Sequence, residues 1–306
     1  MLPPGIFLWE QGCGGFAPSD FPRSLAELHP NWASDMDSLQ PWDSSDVPGF
    51  LQSYASAEDA ETPIVVCCDC PTTMDLAFRF AEEELLPEWG SVVAVTQQEG
   101  RGQLRRHWVS PPGNLHVSVV MPGYTGRHDL WGDCMAALQP LVAGYVFVAA
   151  LEQMGAHIKL KWPNDFLQGE RKVGGMLLEE RNGVIVLGMG INLVASPDDS
   201  EMRKDSAAKA GILQLSAGRS TPLGVWKCLV NRSKNIYTAL IDAFSPSEFI
   251  SLAAERLAWV GRLILVREGG DQVYQARIMG LSSDGGLVLD RNGRKETLYS
   301  GSILPV

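Results

Sequence analysis

The dipeptide Asn182-Gly183 sits between two apolar runs, Lys172–Glu180 and Val184–Leu193, and it restricts the fold more than any other feature of this 306-residue chain. A type I′ turn needs φ > 0 at both central residues, and Asn-Gly meets that demand at little steric cost. With a two-residue turn, paired positions sum to 365, and Gly175 faces Gly190. Two facing glycines strip side chains from one patch of sheet, which weakens the strands. Such a patch points to the close approach of a ligand or of another backbone. Crowding by a packed helix would produce the same pair.

Around this hairpin, residues 61–245 read as alternating strands and helices. Thr62–Cys68 and Ser91–Val95 have strand character. Leu115, Val117, Val119 and Met121 alternate with more polar neighbours, as a half-buried strand does. Thr72-Thr73-Met74-Asp75 fits a capping box with Thr72 as N-cap and Asp75 at N3, followed by an amphipathic helix through Leu76, Phe80 and Leu85. Pro140 is placed near the first turn of a second helix running through Leu141 and Leu151. Trp226–Phe244 has helical periodicity, and residues 195–220 read as a polar loop with a short helix. After Ala258, short strands separated by Gly269-Gly270, Asp284-Gly285 and Asn292-Gly293 predict a small antiparallel barrel.

Residues 1–60 differ from the rest. They hold nine acids against one base, Arg23, and so carry −8 of the formal net charge of −11. Seven prolines and no clean period predict irregular structure, while Trp9, Trp32, Trp42, Phe7, Phe16 and Phe21 argue that it packs on the main domain. The acidic balance gives no support for nucleic-acid binding. No run of about 18 apolar residues suggests a membrane span, and the start of the chain lacks a secretory pattern. Of six cysteines, Cys67, Cys68 and Cys70 crowd together, with no second Cys or His pair at zinc-ligand spacing. A buried strand end in a reducing cytoplasm fits them, and no metal site is expected.

Three segments carry chemistry. Gln97–Trp108 is a loop holding Gly100, Arg101, Gly102, Gln103, Arg105 and Arg106. Its glycines let backbone N–H groups approach an anion, and its arginines offer forked donors. The second is Lys161-Trp-Pro-Asn164-Asp165 followed by Lys172-Val-Gly174-Gly175-Met-Leu-Leu-Glu179. The third is Gly188-Met-Gly190-Ile-Asn192. None is a Walker A loop or a Rossmann fingerprint. Taken singly, Lys161 and Lys172 read as surface lysines, Asn164-Asp165 as a turn, and His107 and His116 as structural or surface residues.

Together and in this order, with Ser110-Pro-Pro-Gly113-Asn-Leu-His-Val-Ser118 and a C-terminal barrel ending Ser300-Gly301-Ser-Ile303, the segments resemble biotin–protein ligases, in a form without an N-terminal DNA-binding domain. The resemblance runs over nearly all of 62–306. It implies an α+β fold: a mixed β-sheet flanked by helices, like the catalytic fold of class II aminoacyl-tRNA synthetases, with a small C-terminal SH3-like β-barrel. The implied domains are an N-terminal extension (1–60), a biotin- and ATP-binding catalytic domain (61–257) and the SH3-like domain (258–306).

It implies a two-step reaction with ATP and biotin as substrates and Mg2+ on the ATP phosphates. Biotinyl-5′-adenylate forms first, and biotin then passes to a lysine of a biotin carboxyl carrier protein. By this resemblance Thr72, Thr73 and Gln97 hold the biotin rings, while Gly100, Arg101 and Gly102 close over biotin and the adenylate. Arg106, Trp108, Asn164 and Asn192 serve the nucleotide. Lys172, with Arg101, is catalytic, holding the carboxylate and α-phosphate. Gly174, Gly175, Gly188 and Gly190 form the floor. The implied protein is cytoplasmic, and the resemblance is compatible with a homodimer.

The chain departs from the family pattern at Gln103, where a base is common, at Arg105, where glycine is common, and at Met74, where Asn is common. Strict hairpin register also sets Lys172 and Asn192 on opposite faces of the sheet. A lipoate or octanoate ligase and a non-catalytic biotin-binding protein are the alternatives. Met176-Leu-Leu-Glu179 and the barrel favour biotin over lipoate. The acidic N-terminus speaks against a DNA-binding repressor.

Overall fold

A computed structural model describes residues 1–12, 21–53, 60–103, 106–124, 129–132, 134–198, 208–216, 221–268 and 272–306. The elements open with β1 (Gly5–Trp9), α1 (Phe21–Leu28), α2 (Pro30–Ser38), β2 (Trp42–Ser44) and β3 (Phe50–Ser53). Next come β4 (Pro63–Cys70), α3 (Thr73–Glu82), β5 (Ser91–Gln97), β6 (Leu115–Met121) and α4 (Met135–Gln153). They continue through β7 (Ile158–Lys161), β8 (Asp165–Gln168), β9 (Arg171–Arg181), β10 (Val184–Ile191), α5 (Pro222–Ala243) and α6 (Pro246–Glu255). The chain ends in β11 (Leu263–Glu268), β12 (Gln272–Leu281), β13 (Leu287–Arg291), β14 (Arg294–Leu298) and β15 (Ser302–Pro305). Two compact units result. One takes Met1–Gly123, Gly174–Ala195 and Ile212–Lys234, and the other Tyr124–Val173, Ser196–Gly211 and Asn235–Val306.

The first unit carries a mixed sheet in the order β2-β3-β1-β4-β5-β6-β10-β9. β1, β4 and β5 run parallel to one another, and the remaining pairs are antiparallel. The irregular structure expected for residues 1–60 is therefore wrong over its described part. Three of its segments are strands, and β1 pairs with β4 from Gly5↔Pro63 to Leu8↔Val66. The reason is apolar content: Ile6, Phe7 and Leu8 are all buried, as in a central strand covered on both faces. Phe7 and Trp9 reach the core beside Phe50 and Phe80 in edge-on contacts. Asp35 of α2 is also buried and accepts the amide of Leu223 at 3.0 Å, at the start of α5. Burial pushes its pKa up to about 6, against the opposing pull of Thr221 and the amides of Leu223 and Gly224.

Asn114 closes the turn before β6. Its Oδ1 accepts the amides of Leu193, Val194 and Ala195 at 2.9, 2.9 and 3.1 Å, and its Nδ2 donates to the carbonyl of Ala195 at 2.8 Å. A buried amide left unsatisfied costs about 1–3 kcal/mol, and Asn114 is buried. Asn114→Ala is expected to lower unfolding free energy by roughly 3 kcal/mol, read as a shifted urea midpoint. An unchanged midpoint would refute this role.

In the second unit α4 is almost wholly buried and lies against β7 and α6. Its length and apolarity alone would suit a membrane crossing, but about 72% of it is covered within the protein. Pro140 is inside this helix, which starts at Met135, and not in its first turn. Trp131, Tyr145 and Phe249 pack ring to ring. The C-terminal strands form a separate five-stranded antiparallel sheet, β14-β13-β12-β11-β15, where the small barrel was expected. Asn292 and Gly293 make its β13–β14 turn with φ of 54° and 80°.

Candidate functional site

The hairpin forms in the predicted register. Val184 pairs with Arg181, and Gly190 with Gly175. Asn182 and Gly183 take φ of 52° and 80°, as a type I′ turn requires. On its other edge β10 pairs with β6, setting Gly188 against Ser118 and Gly190 against His116. Directly opposed residues share a face, so Gly175, Gly188, Gly190 and these two side chains belong to one surface, whereas Gly174, expected in the same floor, pairs with Ile191 and faces the other side because successive strand residues alternate. The indole of Trp108 occupies the space that a Cβ on Gly190 would need. A Cβ on Gly188 would meet Met74 Cε at 2.8 Å. Met74, in the position where Asn is usual, thus fills space over the glycine floor. His116 is fully buried, burial pulls its pKa down to about 4, and its ring nitrogen Nε2 lies 3.0 Å from the carbonyl of Pro111.

A chain of polar groups runs along this surface. Thr72 caps α3, its hydroxyl accepting the amide of Met74 at 3.2 Å. Gln97, at the end of β5, accepts the amide of Thr73 at 2.9 Å and its hydroxyl at 3.1 Å through Oε1. Thr73 Oγ1 also lies 2.8 Å from Ser118 Oγ, and Gln97 Nε2 donates to Ser110 Oγ at 3.0 Å. The loop after Gln97 folds on itself. Trp108 donates its amide to Gly100, Gly102 donates to Arg106, and Arg101 bridges His107. Gly100 has no room for a Cβ beside the Trp108 carbonyl, whereas Gly102 and the exposed Arg106 are uncrowded. The full capping box expected at α3 does not form. Asp75 instead receives Arg101 Nη2 at 2.5 Å and Arg181 Nη1 at 3.0 Å. Arg105 lies outside the described residues.

The second unit holds the lysines. Asp165 opens β8 opposite Lys161 of β7. Its Oδ2 takes Lys161 Nζ at 2.6 Å and its Oδ1 takes Lys172 Nζ at 2.6 Å. Burial alone would raise the Asp165 pKa, but the two ammonium groups and their hydrogen bonds outweigh it and hold the carboxyl below its ordinary value. Asn164 sits in the β7–β8 turn and donates its amide to the carbonyl of Lys161 at 3.1 Å. The main chain of Lys172 is pinned on both sides: its amide donates to Lys209 and its carbonyl accepts from Gly211, each at 2.8 Å. The β9–β10 ladder runs as far as Gly174↔Ile191. The carbonyl of Asn192 accepts the amide of Leu213 at 2.8 Å.

Thr72, Thr73, Gln97, Gly100, Arg101, Trp108, Gly175, Gly188 and Gly190 come together within the first unit. Reading the residues alone passed over Ser118, Ser110, Asp75, Arg181 and the role of Asp165. Ser118 had a findable signal, since its strand alternates, but its partner glycine becomes visible only when β6 is known to pair with β10. Asp165 had none beyond its place between two lysines.

Residues 65–195 match the biotin/lipoate A/B protein ligase family. Among its relatives are the bifunctional ligase/repressor BirA of Bacillus subtilis (strain 168), 29% identical over 71% of this chain and 66% of that protein. Another is a biotin–[acetyl-CoA-carboxylase] ligase of Paracoccus denitrificans, 27% identical over 65% of this chain and 82% of that protein. A solved structure of biotin protein ligase from Aquifex aeolicus in complex with biotin and ATP is 22% identical. It covers 79% of this chain and 99% of its own, with a TM-score of 0.62, and so shares the fold. The chain spans just under two thirds of the B. subtilis relative.

Proposed function

We propose that the protein is an ATP-dependent biotin–protein ligase. The observation that carries this reading is the polar chain Thr73–Gln97–Ser118–Ser110 beside the side-chain-free floor of Gly188 and Gly190. A cyclic urea presents one carbonyl and two N–H groups, and this chain of hydroxyls and an amide can meet both kinds of need. The dithiolane of a lipoyl group offers no such groups, and burying these polar atoms against it would leave them unpaired.

The biotin carboxylate oxygen attacks the α-phosphorus of ATP, forming an O–P bond as the bond to pyrophosphate breaks. A lysine amine of a biotin carboxyl carrier protein then attacks the acyl carbon, forming the amide as AMP leaves and a proton is lost. Two anions must meet in the first step. Lys172 and Arg101 offset their repulsion and stabilise charge that develops in the transition state. Arg106, Trp108, Asn164 and Asn192 are assigned to the nucleotide, and Gly100–Gly102 to the segment that shields the adenylate from water. Mg2+ would accompany the ATP phosphates. Among the described residues no three His, Cys, Asp or Glu side chains converge, so no protein ligands are assigned to it.

Biotin-dependent exchange of labelled pyrophosphate into ATP, with biotinyl-adenylate formed, is the expected result. Exchange with lipoate but not biotin would overturn the reading. Duplex DNA is not expected to shift with the protein at moderate salt, with or without biotin, and a biotin-dependent shift would favour a repressor.

A further inference from the structure

His116 shares the floor with the glycines, and half of its ring is unaccounted for. The side chain is fully buried. Its Nε2 lies 3.0 Å from the carbonyl of Pro111. A carbonyl can only accept, so Nε2 carries the proton. Burial pulls the ring pKa down to about 4, so at neutral pH the ring is uncharged and Nδ1 is a bare acceptor. Among the described residues Nδ1 has no hydrogen-bond partner. A buried acceptor left unpaired is costly. The bond to Pro111 explains a side chain that ties the turn before β6 to the strand, but that task needs only Nε2.

The strand pairings place this acceptor. Ala94, His116, Gly190 and Gly175 stand in one row across the sheet, and Val92, Ser118, Gly188 and Leu177 in the next row on the same face. The rows are about 6.8 Å apart, two residues of strand. His116 thus faces two positions without side chains, one row from the Ser118 hydroxyl. The polar chain beside it has little acceptor capacity to spare. Gln97 Oε1 already takes the amide and the hydroxyl of Thr73. With that hydroxyl proton committed, Ser118 donates to Thr73 Oγ1. A cyclic urea brings two N–H groups and needs an acceptor for each. The Ser118 oxygen can take one. We propose that His116 is a ligand-binding residue, its Nδ1 accepting the other ring N–H of biotin. The half-buried indole of Trp108 lies on Gly190 in the same row, and the urea ring reaches Nδ1 as that indole moves aside to cover the nucleotide. This rests on the ligase reading given above.

The test pairs a change in the protein with a change in the ligand. The probes are biotin and its two cyclic carbamates, in each of which one ring N–H is replaced by oxygen. His116→Phe keeps a planar ring and removes Nδ1. Calorimetry on wild type is expected to show a loss of roughly 10-fold or more for the carbamate that lacks the N–H facing His116. In His116→Phe, biotin itself is expected to bind roughly 10-fold more weakly, and replacing that same N–H then costs less than about threefold. The other carbamate is expected to lose the same factor in both proteins. A purely structural His116 predicts no coupling with either carbamate. Nitrogen NMR of histidine-labelled wild type gives a direct readout. The Nδ1 signal of His116 is expected to shift when biotin is added and to stay in place with ATP alone.

The inference is overturned if the Nδ1 signal does not move with biotin. It is also overturned if ATP alone moves it, since the acceptor would then serve the adenine amino group. Equal biotin affinity in His116→Phe and wild type, or losses for both carbamates that are the same in the two proteins, would overturn it as well. Should His116→Phe melt below the assay temperature for want of the Pro111 bond, the signal is assigned by substituting the four other histidines, and the wild-type titration still decides. Wild-type protein that binds biotin and shifts the signal, but shows no biotin-dependent pyrophosphate exchange, would sink the ligase reading and leave the binding role of His116 standing.

Discussion

Lys172→Ala is expected to lower the rate of adenylate formation by about 10²- to 10³-fold, the usual loss when one preorganised charge-stabilising donor is removed. The fold is expected to survive, for a reason visible in the cluster. Asp165 keeps Lys161 at 2.6 Å, so removing Lys172 does not orphan the buried carboxylate. The main-chain bonds from residue 172 to Lys209 and Gly211 need no lysine side chain. Single-turnover formation of biotinyl-adenylate from saturating ATP and biotin measures the effect, and thermal melting checks the fold. Activity within about threefold of wild type would show that the wrong lysine has been assigned. Lys172→Arg separates charge from shape: a planar fork on a longer side chain does not reproduce a point charge, and only partial recovery is expected.

Gly190→Ala is the second large effect. The new Cβ would occupy the space of the Trp108 indole, and β10 cannot yield because it is paired on both edges, with Gly175 and with His116. Overpacking of this kind costs about 1–3 kcal/mol when the neighbour moves instead. The indole is expected to leave, and the hydrogen bond from the main-chain amide of Trp108 to the carbonyl of Gly100 carries the disturbance into the Gly100–Trp108 loop. Ligand affinity by calorimetry is expected to drop by tenfold or more, on the order of 1.4 kcal/mol. Trp108→Ala combined with Gly190→Ala separates the two consequences. Removing the indole relieves the clash, so the melting temperature recovers. Affinity does not, because the aromatic surface is gone. Recovery of both would mean that Trp108 contributes nothing to binding.

The legible part of the site was local. Asn182-Gly183 set the turn, and turn length with two-residue periodicity set Gly175 against Gly190 without any knowledge of the remaining strands. Thr72 as a helix cap was legible for the same reason, since a cap depends on its own helix. The resemblance to a known family then implied roles that no single residue announces. The N-terminal segment was misread because composition does not record pairing. Seven prolines and an acid excess suggested irregular backbone, yet short apolar runs between them became strands once β4 offered an edge.

Local turn chemistry thus determined the β9–β10 hairpin and its glycine pair, because a type I′ turn and the side-chain period leave one register. The long-range contacts were decided only by the tertiary structure. These include Ser118 opposite Gly188, Asp75 shared by Arg101 and Arg181, and Asp35 capping α5. Each joins residues far apart in the chain, and which of many compatible partners meets which depends on how whole strands and helices pack. The shared carboxylate of Asp165 belongs to both cases. Lys161 is set against it by the neighbouring β7–β8 pairing, but Lys172 reaches it from the next strand, and burial then makes the pairing obligatory.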